Sequence, residues 1–232
     1  MQTLESLLSE NEYPGRGIAI GKSDDSKNAV IVYFIMGRSE NSRNRIFVEE
    51  GSGIRTQAFD ESKMIDPHLI IYAPIKTFGK ATIVTNGNQT DTIFEGLQKG
   101  VPFEKSLATR TFEDDAPNFT PRISGIVNLE YGDFSFALSI LKTDDGKNTN
   151  RFSFFYEAEE KGSARFISTY EKNGTPLPSF LGEPRHVSLH GNIDEVTKNV
   201  WTSLSSENKV SLFVRFINLQ SGKIDSRIVN RN

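Results

Sequence analysis

The sequence predicts an α+β fold in which two mostly antiparallel sheets pack together and carry helices on their outer faces. Strand-like segments rich in Ile, Val, Phe and Tyr outnumber helical segments, and tight turns separate many of them, which favours antiparallel pairing. The main helical segments cluster in the middle and near the end of the chain instead of alternating with strands. A chain of 232 residues can bury a substantial core, and we expect one domain over residues 1–232.

The first half of the chain is predicted to begin with a short amphipathic helix and to continue with strands. The helix spans Thr3–Glu10, with Leu4, Leu7 and Leu8 on one side. Clusters of turn residues separate the apolar segments that follow, which is typical of strands joined by turns. The predicted strands are Gly17–Gly21, Ala29–Met36, Arg45–Glu49, Leu69–Ile75 and Lys80–Val84.

The second half is predicted to start with two helical segments and then to form more strands. The helices cover Asp91–Lys99, for which Thr90 and Asp91 are suitable N-caps, and about Phe103–Thr109. A loop rich in proline and glycine runs from residue 173 to about residue 184. The remaining predicted elements are the strands Arg122–Glu130, Asp133–Lys142, Asn150–Glu157, Arg165–Tyr170 and Val210–Leu219 and a helix over Ile193–Leu204.

The composition excludes several kinds of protein and of site. A formal net charge of −3 with 25% charged residues creates no strong overall field for nucleic acid or for an anionic membrane, so we expect neither as a partner. The absence of cysteine excludes disulfides, zinc sites built from thiolates and a cysteine nucleophile. The sequence has no signal-peptide pattern and no apolar window of about 20 residues, so we expect a soluble, cytoplasmic protein.

A polar turn between a strand and a helix is the first candidate binding feature. The run Ile83–Asp91 has the pattern of a strand that stops at Asn86-Gly87 and is followed by a helix. Such a junction exposes backbone N–H groups, amides and hydroxyls at a helix N-terminus, where anions bind well. The same pattern also fits an ordinary helix start, so the turn alone does not identify a ligand.

Six short motifs accompany this turn along the chain. They are Tyr13-Pro-Gly-Arg-Gly17, Gly37-Arg-Ser39, Asn44-Arg45, Thr111-Phe-Glu-Asp-Asp115, Thr120-Pro-Arg-Ile123 and Ile167-Ser-Thr-Tyr-Glu171. In this order and at roughly these spacings, the set resembles the archaeal-type IMP cyclohydrolase family over about Tyr13 to Glu171. The resemblance implies a four-layer αββα sandwich of two mostly antiparallel sheets, similar to the architecture of the N-terminal nucleophile hydrolases.

The resemblance also implies an activity. The expected enzyme closes the purine ring of 5-formamidoimidazole-4-carboxamide ribonucleotide to give IMP and water in de novo purine biosynthesis, and the expected assembly is a homo-oligomer. The carboxamide nitrogen attacks the formamide carbon and a tetrahedral oxyanion forms, so the site needs cations or N–H donors and a group that moves protons. No metal or redox cofactor is chemically required, and we expect none.

The resemblance assigns catalytic roles to Arg45, Glu113 and Tyr72. Arg45 belongs to an Asn-Arg pair of the family, and its guanidinium suits a developing oxyanion. Glu113 falls on the family's acidic position and could move protons or orient the carboxamide, because adjacent acids raise the pKa of at least one of them. Tyr72 matches a family tyrosine and could donate a hydrogen bond to the formyl oxygen.

A larger set of residues is expected to bind the substrate. Arg122 begins a predicted strand after a proline and could hold the 5′-phosphate, with Arg16 and Arg38 as further candidates for that contact. The complete set of expected substrate-binding residues is Arg16, Arg38, Asn86, Thr90, Asp91, Arg122, Tyr170 and Glu171. His186 and His190 are four residues apart, but the segment between them favours a strand and only His68 remains as another histidine, so we expect no metal site.

Other interpretations of these residues remain open. The spacing between Arg38 and the Asn-Arg pair is about two residues longer than in the family, so Arg43 could be catalytic instead of Arg45. Without the resemblance, the arginines would fit a solvated basic loop and the acids an acidic surface loop. The changed spacing, together with Ala73-Pro74 in place of a polar pair, also fits a nucleotide-binding homologue that has lost cyclisation. An N-terminal nucleophile-like amidohydrolase is a third possibility.

Overall fold

Strands outnumber helices in the computed structural model, which describes residues 1–64, 67, 70–157 and 159–232. The helices are α1 (Leu4–Ser9), α2 (Glu40–Arg43), α3 (Gln89–Gln98), α4 (Phe103–Ser106) and α5 (Ile193–Ser203). The strands are β1 (Arg16–Lys22), β2 (Asn28–Met36), β3 (Ile46–Glu50), β4 (Gly53–Gln57), β5 (Ile75–Phe78), β6 (Ala81–Thr85), β7 (Arg122–Leu129), β8 (Phe134–Lys142), β9 (Asn150–Tyr156), β10 (Ser163–Ser168), β11 (Arg185–Ser188), β12 (Lys209–Asn218) and β13 (Ile224–Asn230). None of the helices in the described residues is long and apolar enough to span a membrane.

The strands form two sheets that pack face to face. One sheet has the strand order β11-β10-β1-β2-β12-β13, and the other has the order β3-β4-β5-β6-β7-β8-β9. Each pair of neighbouring strands is antiparallel. Side chains of α1 and α5 pack on the outer face of the first sheet, and those of α3 and α4 pack on the outer face of the second. The predicted α+β sandwich, with helices on the outer faces of two antiparallel sheets, is confirmed.

Strand β2 shows how the sequence builds this arrangement. Its residues form a continuous apolar run, which predicts a strand buried on both faces. Successive side chains of a strand point to opposite faces. Ala29, Ile31, Tyr33 and Ile35 therefore face the second sheet, whereas Val30, Val32, Phe34 and Met36 face α1 and α5. Both apolar layers of the first sheet thus depend on this strand.

The pairing register gathers several chain segments at one end of the first sheet. Arg16, at the start of β1, pairs with Ile35 near the end of β2, and Gly17 pairs with Ser168 at the end of β10. The segments that follow β2 and β10 consequently leave the sheet beside the segment that enters β1. These segments carry four of the six motifs, so the antiparallel register explains how residues distant in sequence meet.

The predicted strand Leu69–Ile75 is wrong over residues 70–74, and Leu69 lies outside the described residues. The strand in this region, β5, begins only at Ile75. The backbone N–H of Tyr72 donates to the side-chain oxygen of Thr56 at 2.8 Å instead of to a carbonyl, and Pro74 has no N–H to donate. The carbonyls of Tyr72 and Pro74 still accept from the backbone N–H groups of Thr56 and Thr85, so the segment keeps some backbone bonds to its neighbours but lacks the regular pairing of a strand.

Three strands and one helix start differ from the sequence-based expectation. Strands β4, β11 and β13 were not predicted, because β4 and β11 are short and β13 is only partly buried and largely polar. Helix α3 begins at Gln89, so Thr90 and Asp91 lie inside its first turn and are not its N-caps. The Thr90 hydroxyl instead donates to the Gly87 carbonyl at 3.1 Å, within the turn itself.

The close approach of β1 and β10 predicts a stability effect at Gly21. A Cβ atom at Gly21 would lie 2.0 Å from the Ser163 carbonyl oxygen and 2.6 Å from the Ala164 Cα, both of which are backbone atoms that cannot rotate away. Gly21→Ala should therefore lower the free energy of unfolding by about 1–3 kcal/mol, measured by urea denaturation. Gly79→Asn is the control, because Gly79 has φ +57° with no atom within 4 Å of such a Cβ, and asparagine tolerates this conformation. An equal loss in both variants would contradict the steric explanation.

Candidate functional site

A pocket of about 280 Å³ opens where the segments around β1, β2 and β10 meet. Motif residues from both halves of the chain contribute to its walls, and the segment 110–121, which contains neither helix nor strand, forms one side. The lining residues are Tyr13, Arg16, Arg38, Ser39, Asn41, Ser42, Arg45, Ile70, Glu113, Asp115, Asn118, Thr120, Tyr170 and Leu177. Five of the residues expected to be functional therefore share this pocket: Arg16, Arg38, Arg45, Glu113 and Tyr170.

Arg45 is an almost completely buried cation in this pocket. Its side chain is 1% exposed, and its Nε donates to the Ser42 carbonyl oxygen at 2.9 Å. Burial, followed by the nearby charge of Arg16, lowers the pKa of Arg45 below its usual value. Arg43 points elsewhere, because it donates to the Gly37 carbonyl at 2.8 Å and to Asn208 at 3.2 Å and does not line the pocket. The geometry thus favours Arg45 over Arg43 for contact with a ligand.

Glu113 lies between two arginines. Its Oε2 is 4.0 Å from Arg16 Nη2 and its Oε1 is 3.8 Å from Arg122 Nη1. Burial raises the pKa of Glu113, assisted by Asp115 and opposed by Arg16, Arg122 and Arg45. The backbone at Glu113 is held by its N–H, which donates to the Thr120 carbonyl at 2.9 Å. A buried carboxyl whose pKa is raised is a candidate for proton transfer.

Arg16 lines the pocket and is also the ion-pair partner of Glu113. Burial works against its charge, but Glu113, Tyr170, Tyr72 and Tyr13 raise the pKa of Arg16 above its usual value. Among the described residues, the buried Nε of Arg16 has no hydrogen-bond partner. Because an unsatisfied buried donor is costly, this nitrogen is available to a ligand.

A pair of buried tyrosines adjoins the two inner arginines. The hydroxyl oxygens of Tyr33 and Tyr72 are 2.8 Å apart. Burial, followed by the neighbouring Tyr72, raises the pKa of Tyr33, while the charges of Arg16 and Arg45 act in the opposite direction. Tyr33 was not a sequence candidate, and its only signal is a hydroxyl within the otherwise apolar strand β2.

A directed hydrogen-bond chain lines the opposite side of the pocket. The Thr120 hydroxyl donates to the Asp115 carboxylate, and its oxygen lies 2.5 Å from the Tyr170 hydroxyl. Because the single proton of Thr120 is directed to Asp115, Tyr170 donates to Thr120 and its own oxygen remains an acceptor. Burial raises the pKa of Tyr170 to about 12, and its ring stacks on Tyr13 with centroids 6.0 Å apart. Thr120 and Asp115 belong to quoted motifs but were not predicted as site residues.

A second basic group lies at the start of α3. Arg122 Nη1 donates to the Gln89 side chain at 2.9 Å, and Arg110 Nη2 donates to the Asn88 side chain at 2.8 Å. Burial and the charge of Arg122 lower the pKa of Arg110. A Cβ at Gly87 would lie 2.6 Å from Arg122 Nη1, so this turn requires glycine to let the guanidinium approach. Arg110 was not a sequence candidate.

Five expected substrate-binding residues lie outside the pocket lining: Arg122, which belongs to the basic group at α3, and four others. Asn86 is buried, donating to the Pro121 carbonyl at 2.9 Å and accepting from the Ile123 N–H at 2.9 Å, and Thr90 is equally enclosed. Asp91 pairs with Lys76 at 2.6 Å at the surface. Glu171 pairs with Arg185 in a different pocket. Asn86 and Thr90 therefore hold the turn, whereas Asp91 and Glu171 make ion pairs at the surface.

Arg38, at the edge of the site, and the histidines complete this comparison. Arg38 is exposed, donates to Asn173 Oδ1 at 2.9 Å, and lies over the Tyr13 ring at 5.1 Å. His186 Nε2 is 3.1 Å from Glu159, and His190 Nδ1 is 2.7 Å from Asp24, so the two imidazoles have separate acidic partners. His68 lies outside the described residues.

Comparisons with known proteins agree on one family. A family model described as IMP cyclohydrolase-like protein matches residues 13–222. The IMP cyclohydrolase of Methanococcus maripaludis strain S2 is 27% identical over 194 residues, which are 81% of this chain and 87% of that protein. The IMP cyclohydrolase of Methanothrix thermoacetophila is 30% identical over 174 residues, 73% of this chain and 80% of that protein. That of Methanopyrus kandleri is 35% identical over 122 residues, 51% and 60% of the two chains. The match continues past Glu171, where the sequence resemblance ended.

Proposed function

The chain belongs to the family of IMP cyclohydrolase-like proteins, and we propose that it is an IMP cyclohydrolase acting at the pocket around Arg45. It closes the ring of 5-formamidoimidazole-4-carboxamide ribonucleotide to give IMP and water. The observation that carries this proposal is the buried Arg45 guanidinium, which lines a pocket together with a carboxyl group of raised pKa, Glu113. This pair provides the positive charge and the proton-transferring group that the cyclisation needs.

The first step of the reaction places charge on the formyl oxygen. The carboxamide nitrogen attacks the formyl carbon, and the former carbonyl oxygen becomes an oxyanion. Arg45 stabilises this charge, because its guanidinium is buried and weakly screened. Of the two hydroxyls in the Tyr33–Tyr72 pair, one donates to the other, which leaves one proton for the same oxygen. Neither tyrosine lines the pocket, so this contact requires Tyr72 to move toward the substrate.

Proton movement and orientation fall to two further groups. Glu113 takes the proton from the attacking nitrogen and gives it to the oxyanion, which becomes a hydroxyl. It then takes the proton of the formamido nitrogen and delivers it to this hydroxyl, so that the C–O bond breaks, the ring C=N bond forms and water leaves with no net charge left on the enzyme. The oxygen of Tyr170 accepts an N–H of the carboxamide, because its own proton is committed to Thr120. This contact turns the nitrogen toward the formyl carbon and contributes to holding the two arms of the substrate close together.

We place the 5′-phosphate at the basic group beside α3. Arg110 and Arg122 repel one another, and the nearby Glu113 is shared between Arg122 and Arg16. A phosphate dianion relieves this repulsion and also meets the N-terminus of a ten-residue helix. Asn86 and Thr90 support this subsite by holding the turn, without touching the phosphate.

Direct assay tests the proposed activity. The purified protein should convert the formamido ribonucleotide to IMP in the presence of chelator, followed by the absorbance change on ring closure and by chromatography of the product. Binding of IMP or its precursor without turnover at several pH values would contradict the proposal and identify a nucleotide-binding homologue that has lost cyclisation. Release of ammonia from amide substrates, with no IMP formed, would instead indicate an amidohydrolase.

Loss of the proposed phosphate contact should act mainly on the Michaelis constant. Arg122→Ala removes an interaction that exists in substrate and transition state alike, so KM should rise about 10–100-fold with kcat changed little. Arg122→Lys should restore part of the affinity, since a point charge still attracts phosphate. Steady-state kinetics provide the measurement. Arg55→Ala is the matched control, because Arg55 is a half-exposed surface arginine paired with Glu50; a fall in kcat alone for Arg122→Ala would exclude the phosphate role.

Three further features accompany this proposal. We propose a single domain over residues 1–232, which is supported by a core between the two sheets that contains residues from Ile18 to Leu219.

We propose a homo-oligomer, which is supported by the unpaired outer edge of β9, where Phe155 is 63% exposed. We also propose a cytoplasmic location, which is supported by the absence of cysteine. Light scattering of the purified protein tests the assembly.

A further inference from the structure

Arg215 is a buried cation far along the chain from the motifs of the proposed active site. It lies on β12, on the same face as Phe213 and Ile217, which belong to the core between the two sheets. Its side chain is 4% exposed. The guanidinium donates from Nη2 to the Ser52 carbonyl at 2.7 Å and from Nε to the Ser226 hydroxyl at 3.1 Å. In the described part of the chain, the buried Nη1 has no hydrogen-bond partner.

This guanidinium also has no counterion among the described residues. No carboxylate there lies within 4.0 Å of it, and burial lowers the pKa of Arg215 to about 10 without an opposing negative charge. Asp225 precedes Ser226 on β13, and the register pairs Arg215 with Ser226, so the side chain of Asp225 leaves the strand on the opposite face of the sheet. There Asp225 pairs with Arg227 at 2.6 Å. A buried charge that lacks both a partner and a full set of hydrogen bonds is costly.

A second pocket, of about 410 Å³, lies at this position. Its walls include Arg215, Phe213 and Ser226, and the hairpin turn around Ser52 between β3 and β4 closes one side. Glu49 is on its rim and is exposed, and Asp225, which is also exposed and is engaged by Arg227, is a further lining residue. It shares no lining residue with the pocket around Arg45. It is therefore a separate site, with its own buried donor.

We propose that this second pocket binds a small oxyanion, a carboxylate or a phosphate, through Arg215. The unpartnered Nη1 supplies a charge-assisted hydrogen bond, and the Ser226 hydroxyl supplies a further polar contact beside it. A planar guanidinium fixed by two other hydrogen bonds is already oriented, so little side-chain freedom is lost when the anion binds. The single positive charge and the acidic rim residue select a small anion over a polyanion.

Thermal unfolding with inorganic phosphate gives the first test. The Arg122→Met variant serves as the background, because it weakens the proposed phosphate contact of the other pocket. At constant ionic strength, phosphate at about 100 times its Kd should raise the midpoint of this variant by about 5–10 °C. The rise should disappear in the Arg122→Met/Arg215→Met double variant, which in anion-free buffer should unfold at the same temperature as its parent or higher, because an unpaired buried charge has been removed. An equal rise in both variants would overturn the proposal.

Two further measurements distinguish between the possible ligands and test whether Glu49 is the counterion of Arg215. A crystal soaked in selenate should show anomalous density within hydrogen-bond distance of Arg215 Nη1, and acetate tested in place of phosphate distinguishes a carboxylate ligand. Glu49→Gln should tighten phosphate binding several-fold, because it removes a repelling charge. If Glu49→Gln instead lowers the unfolding temperature and selenate leaves the pocket empty, Glu49 itself neutralises Arg215 and the proposal is wrong. Neither result depends on whether the protein cyclises its nucleotide.

Discussion

Arg45→Ala is expected to lower kcat about 10²–10³-fold while KM changes only a few-fold. The reason is that the proposed contact partner of Arg45, the oxyanion, exists only in the transition state. Arg45→Lys should restore little, because lysine keeps the charge but loses the planar fork whose Nε donates to the Ser42 carbonyl. Steady-state kinetics of both variants, with circular dichroism to verify folding, provide the measurement.

Arg43→Ala is the matched control for this experiment. Arg43 lies two residues away, in the same short connection before β3, but its guanidinium is engaged by Gly37 and Asn208 and does not line the pocket. Its removal should leave kcat near the native value, although it can lower the unfolding temperature. Near-native turnover in Arg45→Ala combined with a large loss in Arg43→Ala would end the catalytic assignment of Arg45 and transfer it to Arg43.

Glu113→Gln is expected to lower kcat about 10²–10⁴-fold and to change its pH dependence. If the Glu113 carboxylate accepts a proton from the attacking nitrogen, kcat falls as the pH drops through the pKa of this group. Because burial raises that pKa, the fall should begin at a higher pH than for an ordinary glutamate. Glutamine cannot titrate, so the residual activity of the variant should lose this acidic limb.

The substrate phosphate requires a control in this pH experiment, since its second pKa is about 6. Comparing kcat under saturation for native protein and Glu113→Gln cancels that contribution, because both enzymes bind the same substrate. Asp114→Asn is the matched variant, because Asp114 is the exposed neighbour of Glu113 and does not line the pocket. It should retain the native profile. An unchanged acidic limb in Glu113→Gln would exclude Glu113 as the proton acceptor.

The fold was largely predictable because its central strands carry strong periodic signals. The run at β2 and the helix at α5, whose Asn192 cap and Glu195 form a reciprocal capping box, follow local rules of pattern and capping. Strand β13 was not predicted, because its residues are only partly buried and apolar and polar residues therefore do not alternate clearly along it. Residues 70–74 were wrongly predicted as strand because the Tyr72 N–H donates to a threonine side chain instead of to a backbone carbonyl, which no pattern of apolar residues reveals.

The site residues could be predicted from the sequence only where they belong to a family motif. Arg45 and Glu113 were found through the resemblance, because neither charge nor spacing distinguishes them from surface residues. Tyr33 and Arg110 were missed because their positions depend on long-range packing of β2 and of the turn before α3. Asn86 shows the converse: its polarity suggested ligand binding, but its hydrogen-bonding groups serve neighbouring backbone. Polar residues that hold a turn and polar residues that bind a ligand look alike in sequence.

The two sides of the pocket around Arg45 differ in how firmly the fold holds them. Tyr33 and Arg16 belong to β2 and β1, which pair with each other inside the first sheet, whereas Glu113 and Asp115 lie in the segment 110–121, which contains neither helix nor strand. Backbone amides of the two strands should therefore exchange with solvent deuterium far more slowly than those of the segment. Nucleotide binding should then slow exchange chiefly at residues 110–121, because the strands that carry Tyr33 and Arg16 are already protected and the segment that carries Glu113 becomes ordered against the substrate.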